Sequence, residues 1–175
     1  MSWKKIKSNI VYSNPYFRVL EDDVMQPNGK EGKYFVVGVN DFVSVIAEDG
    51  NQDIYLVEQK RYTIQSMSLE FVAGRVEDNE EAIQAAQREL KEEAGIRAQN
   101  WKNLGYAYTS NGITNQRFHV YLARDLEFGK QELDPNEDIA VKKFSIEDVR
   151  KMILDNKIID GPSIVGFYKF LEYRN

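Results

Sequence analysis

Cysteine is absent from this 175-residue chain, which excludes disulfides and thiolate metal sites alike. Histidine occurs once, at His119 in the alternating stretch Arg117-Phe118-His119-Val120-Tyr121, where it reads as a half-exposed strand residue rather than a catalytic base. Positive charge is in deficit: 23 Lys and Arg stand against 28 Asp and Glu, a formal net charge of −5. That balance argues against broad nucleic-acid or membrane binding. The start MSWKKIKSNI is basic but has no apolar segment, so neither a signal peptide nor a membrane span is expected, and a cytoplasmic location is the default. Internal repeats, low-complexity tracts and long linkers are also missing.

What remains is the composition of a soluble globular protein, 42% hydrophobic and 29% charged. The length fits a single ordinary domain with a small appendage, large enough for a real core. Tyr16 to Met25 and Lys33 to Val39 read as strands around the turn Gln26-Pro27-Asn28-Gly29-Lys30. Phe42 to Ala47 and Ile54 to Gln59 have the pattern of a second hairpin across Glu48-Asp49-Gly50-Asn51. An irregular segment, Tyr62 to Ser68, leads into a short strand from Leu69 to Val72 that runs up to Gly74. Trp101 to Thr109 and Arg117 to Ala123 flank the loop Ser110 to Gln116, and a polar stretch, Gly129 to Asp138, precedes a strand from Ile139 to Phe144. Ser145 with Asp148 reads as a helix cap opening a helix to about Asn156. Pro162 fits a first helical position, and Ile164, Phe167 and Leu171 supply that last helix with an apolar stripe.

One segment has a more specific chemistry. From Glu80 to Ala94 there is no Gly or Pro, and Ala, Leu, Glu, Gln, Lys and Arg dominate, which predicts a helix. Ile83, Ala86, Leu90 and Ala94 form its apolar stripe, and Gly95 is a natural left-handed stop. Glu89, Glu92 and Glu93 then share one face. Like charges so placed repel by a few tenths of a kcal/mol per pair on a solvated helix. A hard divalent cation reverses that sign, because clustered carboxylate oxygens are what magnesium or manganese takes as ligands. Taken alone, such a run is ordinarily a soluble helix with a charged outer face. The flanking glycines, the upstream Glu80 and the Arg88–Glu89 pair turn the balance toward a site. An anionic substrate would be repelled by the net charge unless local Arg, Lys or bound metal inverted the field.

Gly74, Glu80, Arg88, Glu89, Leu90, Glu92, Glu93, Gly95 and Ile96 stand at the spacing G-x5-E-x7-R-E-U-x-E-E-x-G-U, where U is a bulky aliphatic. That pattern resembles the signature of Nudix hydrolases, which split substituted nucleoside diphosphates with divalent metal. Val57 to Arg61, Leu69 to Gly74, Asn136 to Ile139 and the tail from Ile159 to Leu171 make the chain similar to the ADP-ribose pyrophosphatase and nucleotide-sugar diphosphatase branch. The resemblance implies an α/β/α sandwich with a mixed central sheet (residues 40–175) and a small N-terminal antiparallel β-subdomain (residues 1–39) serving dimerisation and substrate binding. It implies a homodimer, a nucleotide-sugar or ADP-ribose substrate, and Mg2+ as cofactor, with Mn2+ equally suited to oxygen ligands.

Carried over by that resemblance, Glu89, Glu92 and Glu93 are metal ligands together with the backbone carbonyl of Ala73. Glu80 and Arg88 hold the carboxylates in place. Two or three metal ions would bridge the pyrophosphate and a water, neutralise its oxygens and lower the pKa of the attacking water. The catalytic set is Glu92, Glu93, Arg88 and Glu137, the last also a candidate ligand on the later loop. Arg61, Glu70 and Gln116 are the candidate substrate contacts.

Two departures from the branch stand out. Ser110-Asn111-Gly112 has Asn where relatives carry Pro, and Gln116 replaces an acidic residue. Pro135 takes the place of one of a pair of glutamates spaced by two, leaving Glu137, with Asp134 or Glu132 as alternatives for the general base. Two other functions therefore remain open: a sanitising pyrophosphohydrolase for triphosphates such as dGTP, and a Nudix-like binding module without catalysis.

Overall fold

The computed structural model describes residues 2–174, and the chain divides into two units. One comprises the chain up to Asp41 together with Tyr108–Arg117; the other comprises Phe42–Ala107 and the chain from Phe118 onward.

The first unit is built on a three-stranded antiparallel sheet of β1 (Lys4–Ser13), β2 (Phe17–Met25) and β3 (Glu31–Val39), in that order. The Asn14 side chain turns β1 into β2 by accepting from the N–H groups of Tyr16 and Phe17 at 2.8 and 2.9 Å. Gly29, at φ +80°, supplies the left-handed residue of the β2–β3 turn. β1 was not announced by the sequence. Nearly all of its residues are exposed, so it carries no core-facing stripe and is held by its main-chain ladder to β2. The 108–117 segment is tied to β3, where Val37 N–H donates to Ile113 O at 2.9 Å and the Tyr34 hydroxyl donates to Gly112 O at 2.9 Å.

The second unit has a seven-stranded sheet of β4 (Phe42–Glu48), β5 (Asp53–Arg61), β6 (Ser66–Glu70), β7 (Val72–Arg75), β8 (Ile96–Tyr108), β9 (Arg117–Phe128) and β10 (Ile139–Ser145). Its main path runs β10-β5-β4-β9-β8, with β6 on β5 and β7 on β4. β4 and β9 are parallel while β4–β7, β5–β6 and β5–β10 are antiparallel, so the sheet is mixed. The helices are α1 (Ala82–Ala94), α2 (Ile146–Leu154) and α3 (Gly161–Arg174). β4 alternates between two cores. Val43, Val45 and Ala47 pack with Ala86 and Leu90 of α1, whereas Ile46 packs with Phe167 and Phe170 of α3. A central strand buried on both faces by opposite helix layers defines the α/β/α sandwich expected from the resemblance.

Several local expectations are corrected. β4 and β5 pair directly only at Ala47–Tyr55 and Glu48–Ile54; beyond that tip they diverge, β4 to β7 and β9, β5 to β6 and β10. The expected strand from Leu69 to Val72 is two strands broken at Phe71: Glu70 still pairs with β5, and Val72 pairs with β4. Phe71, 1% exposed, anchors the break in the α3-side core. α1 starts at Ala82 rather than Glu80, because the Gln84 side chain accepts from Glu81 N–H at 2.9 Å and Glu80 folds back onto Glu77 N–H at 2.9 Å. Gly95 ends α1 at φ +65°, and β8 follows at once, earlier than the expected Trp101. Ser145 caps α2 through Asp148 N–H, and the helix ends at Leu154, short of Asn156. α3 opens at Gly161 with Asp160 accepting from Ser163 N–H at 2.8 Å, which makes Pro162 its second residue rather than its first.

Candidate active site

The turn after β7 and the second half of α1 bring the glutamate-rich segment together. A Cβ built at Gly74 would stand 1.8 Å from the Glu89 carboxyl carbon, so the Glu89 carboxylate occupies the space a side chain at 74 would need. Arg88 is saturated by its neighbours. Its Nε and Nη2 grip Glu80 at 2.9 and 3.0 Å, Nη1 donates to Glu89 at 2.6 Å and to Glu92 at 3.1 Å, and Nη2 also donates to Arg75 O at 2.9 Å. Helical spacing accounts for this, since residues 88, 89 and 92 lie within one turn and the pre-helical bend returns Glu80 to them.

The electrostatics separate these carboxylates. The hydrogen bonds from Arg88 hold Glu80 below its usual range. Burial raises the pKa of Glu89 despite its bond to Arg88, and Glu92 and Glu137 raise it further. Glu93 is 5% exposed, and burial, reinforced by Glu89 and Glu137, pushes it up to about 8. The Ala73 N–H, at 3.3 Å from Glu93 Oε2, offsets only part of this.

A cleft of about 540 Å³ opens beside Gly74, with Arg61, Glu70 and Asp160 among its lining residues. Arg61 and Glu70 form a bidentate pair in which Nε donates to Glu70 Oε1 at 2.9 Å and Nη2 to Oε2. The Arg61 side chain stays 41% exposed while that of Glu70 is 4% exposed, so the carboxylate braces the arginine from beneath and leaves its other edge to the cleft. Asp160, half-buried, has its pKa raised by burial.

The remaining candidates fall in different places. Glu137, on the loop before β10, lies close enough to Glu89 and Glu93 to raise both, and its carboxylate accepts from Asp134 N–H at 3.1 Å. Glu132 is engaged by Lys91 at 2.5 Å. Gln131 fastens the same loop, donating to Glu93 O at 2.6 Å and Ile139 O at 3.0 Å. Gln116 belongs to the first unit, where its amide donates to Asn40 O at 2.8 Å and its carbonyl accepts from the Thr109 hydroxyl at 3.4 Å. Asp160, Ser163 and Arg75 were not singled out from the sequence; the only signal was Asp160-Gly161-Pro162-Ser163, a helix-start pattern.

Among the described residues, no three acidic or imidazole side chains are already gathered at metal-holding distances. Arg88 stands in the middle of Glu80, Glu89 and Glu92 as their cation. The donor set nevertheless fits a hard divalent ion: it is all oxygen, and the half-buried Glu89 and buried Glu93 are carboxylates whose mutual repulsion such an ion would remove.

A mixed sheet between helix layers, carrying a helix-borne carboxylate cluster against a glycine of β7, defines a Nudix-type hydrolase. The NUDIX domain pattern matches residues 40–164, and the chain belongs to that family. Residues 3–37 match the nucleoside diphosphate sugar hydrolase N-terminal domain. The chain is 32% identical over 160 residues to the ADP-ribose pyrophosphatase of Bacillus subtilis, covering 90% of this chain and 86% of that protein. It is 30% identical over 167 residues to the methanol dehydrogenase activator of Bacillus methanolicus, covering 93% and 89%. A Mycobacterium tuberculosis ADP-ribose pyrophosphatase is 29% identical over 167 residues, covering 94% and 81%. The crystal structure of an ADP compounds hydrolase superposes with a TM-score of 0.86 at 19% identity, covering 99% of this chain and 94% of that one, a likeness of fold.

Proposed function

We propose that this chain hydrolyses the pyrophosphate bond of a nucleoside diphosphate joined to a sugar, either ADP-ribose or another nucleotide sugar, releasing a nucleoside monophosphate and a sugar phosphate. The observation that carries this reading is the adjacency of the buried Glu93 and the half-buried Glu89 at Gly74 to a cleft edged by Arg61. The names of the Bacillus subtilis and Mycobacterium tuberculosis relatives support the substrate class. Magnesium, held by Glu89, Glu92, Glu93, Glu137 and the Ala73 carbonyl, would supply charge neutralisation and an activated water. The chain's own residues do the rest. Arg61, braced by Glu70, presents its free edge to a phosphate oxygen. Arg88 keeps Glu89 and Glu92 aimed, and Glu137 and Glu93 are positioned to take a proton from water.

The three-stranded sheet exposes Ile10 on one face and Tyr12 and Phe35 on the other, and we assign apolar contact of this sheet to a second copy of the chain. Residues 1–39 then serve as the dimerisation and substrate module, and 40–175 as the hydrolase domain. Light scattering after gel filtration should give twice the chain mass; a monomer at micromolar concentration would refute the dimer. No described helix is long and apolar enough to cross a membrane, and a cytoplasmic location is part of the same proposal.

Mass spectrometry of products from ADP-ribose, ADP-glucose, GDP-mannose, UDP-glucose and dGTP with magnesium tests the activity. AMP or another monophosphate with a sugar phosphate, lost in Glu93→Gln, is the expected result. Cleavage of dGTP alone would move the protein to the triphosphate-sanitising class.

A further inference from the structure

Asp160 caps α3 at the wall of the cleft that also holds Arg61, Glu70 and Gly74. Its two oxygens are used unequally. Oδ2 accepts from Ser163 N–H at 2.8 Å and from the Ser163 hydroxyl at 2.7 Å. Among the described residues, nothing donates to Oδ1. The carboxylate is also rigidly mounted. Ser163 is 2% exposed, and its hydroxyl accepts from Phe71 N–H at 2.9 Å, which ties the cap to the break between β6 and β7. A half-buried carboxylate, fixed by one oxygen and open to the cleft at the other, faces any occupant as a preorganised acceptor.

We propose that Asp160 reads the sugar attached to the diphosphate, its Oδ1 accepting a hydroxyl O–H from that sugar. This rests on the diphosphatase function given above and names a specificity-determining residue within it. The chemistry decides what stands beside Asp160. A phosphate would be repelled by it, whereas Arg61, within electrostatic reach of both Glu93 and Asp160, attracts one. With the phosphates at Arg61, the group reaching Asp160 must donate hydrogen bonds. A sugar does so with every hydroxyl. A base would need a platform, and the one aromatic among the cleft's lining residues, Phe42, is already stacked on Phe118 at 5.6 Å between ring centres.

The test compares kcat/KM for ADP-ribose with that for the methyl ester of ADP, which has the same diphosphate charge and no distal sugar. Asp160→Asn keeps a carbonyl for the cap and puts an amide donor where Oδ1 stood; Asp160→Ser keeps a cap and is too short to reach the substrate. Both should lower the preference for ADP-ribose over the methyl ester about tenfold, chiefly through KM, with thermal unfolding showing both folded. An unchanged preference, or an equal loss for both substrates, would overturn the assignment while leaving the diphosphatase function standing. So would a change confined to the preference for ADP-ribose over its hypoxanthine analogue, since that would place the base at Asp160. Turnover of neither ADP-ribose nor any other nucleotide sugar of the panel by the unaltered protein would reject the function and the assignment together.

Discussion

Gly74 and Glu89 share one volume: a Cβ at 74 would lie 1.8 Å from the carboxyl carbon and 2.0 Å from Oε1 of Glu89. The strand-to-helix turn can hold this carboxylate at the surface of β7 only because residue 74 has no side chain. Gly74→Ala should therefore displace Glu89 and lower turnover about a hundredfold, the usual effect of a misplacement near 1 Å. Steady-state kinetics with magnesium would show it as a loss in kcat. Wild-type activity in the alanine variant would mean that Glu89 is free to move without consequence.

The buried Glu93 predicts a pH-dependent stability of the metal-free protein. Its pKa is about 8 when folded, against an ordinary 4.5, so the folded chain holds a proton that the unfolded chain releases. That contribution is complete below pH 4.5 and disappears as the pH rises through 8. In EDTA, Tm should fall on the order of 5 °C between pH 5 and pH 8.5. Magnesium should oppose the fall, since an ion bound to ionised carboxylates stabilises more as they ionise. Equal magnesium-induced shifts at both pH values would separate the ion from Glu93.

Arg88 is one positive charge shared among Glu80, Glu89 and Glu92. Arg88→Ala leaves these partly buried carboxylates facing one another and should cost about 2 kcal/mol in urea unfolding without metal. Magnesium should restore more stability to the variant than it adds to the parent. Arg88→Lys should fall between the two, because an ammonium has no fork with which to hold Glu80 at both oxygens.

Ser163→Ala removes the acceptor of a buried backbone donor, Phe71 N–H. An unsatisfied buried group costs roughly 1–3 kcal/mol, so a Tm lower by about 5 °C is expected in thermal denaturation. No change in Tm would mean that the break between β6 and β7 finds another partner.

The legible part of the site was the part set by short spacing. Glu89, Glu92, Glu93 and Arg88 meet because a helix repeats every 3.6 residues, and Gly95 stops it where a left-handed residue is needed. Glu80 was correctly grouped with them yet stands outside the helix, since its carboxylate serves Glu77 N–H and Arg88 at once. Phe71, Asp160 and Ser163 were not legible. Their hydrogen bonds connect positions 71 and 163, and no periodicity reports a contact across 92 residues of chain. β1 escaped for a different reason: it is held by main-chain pairing, and its exposed Ile6, Ile10 and Tyr12 stand too sparsely among lysines and polar residues to read as a core-facing strand.

The sequence by itself determined the helix with its acidic face, most of the strand order along the chain, and membership of a metal-using hydrolase class, because each rests on local propensity or fixed spacing. Only the tertiary structure decided which residues surround the cleft. β4 leaves β5 after one tip and runs parallel to β9, β6 and β7 part at Phe71, and α3 delivers Asp160 beside Arg61 and Glu70. Those placements follow from burying both faces of β4 beneath opposite helix layers, a requirement of the whole core that no short segment contains.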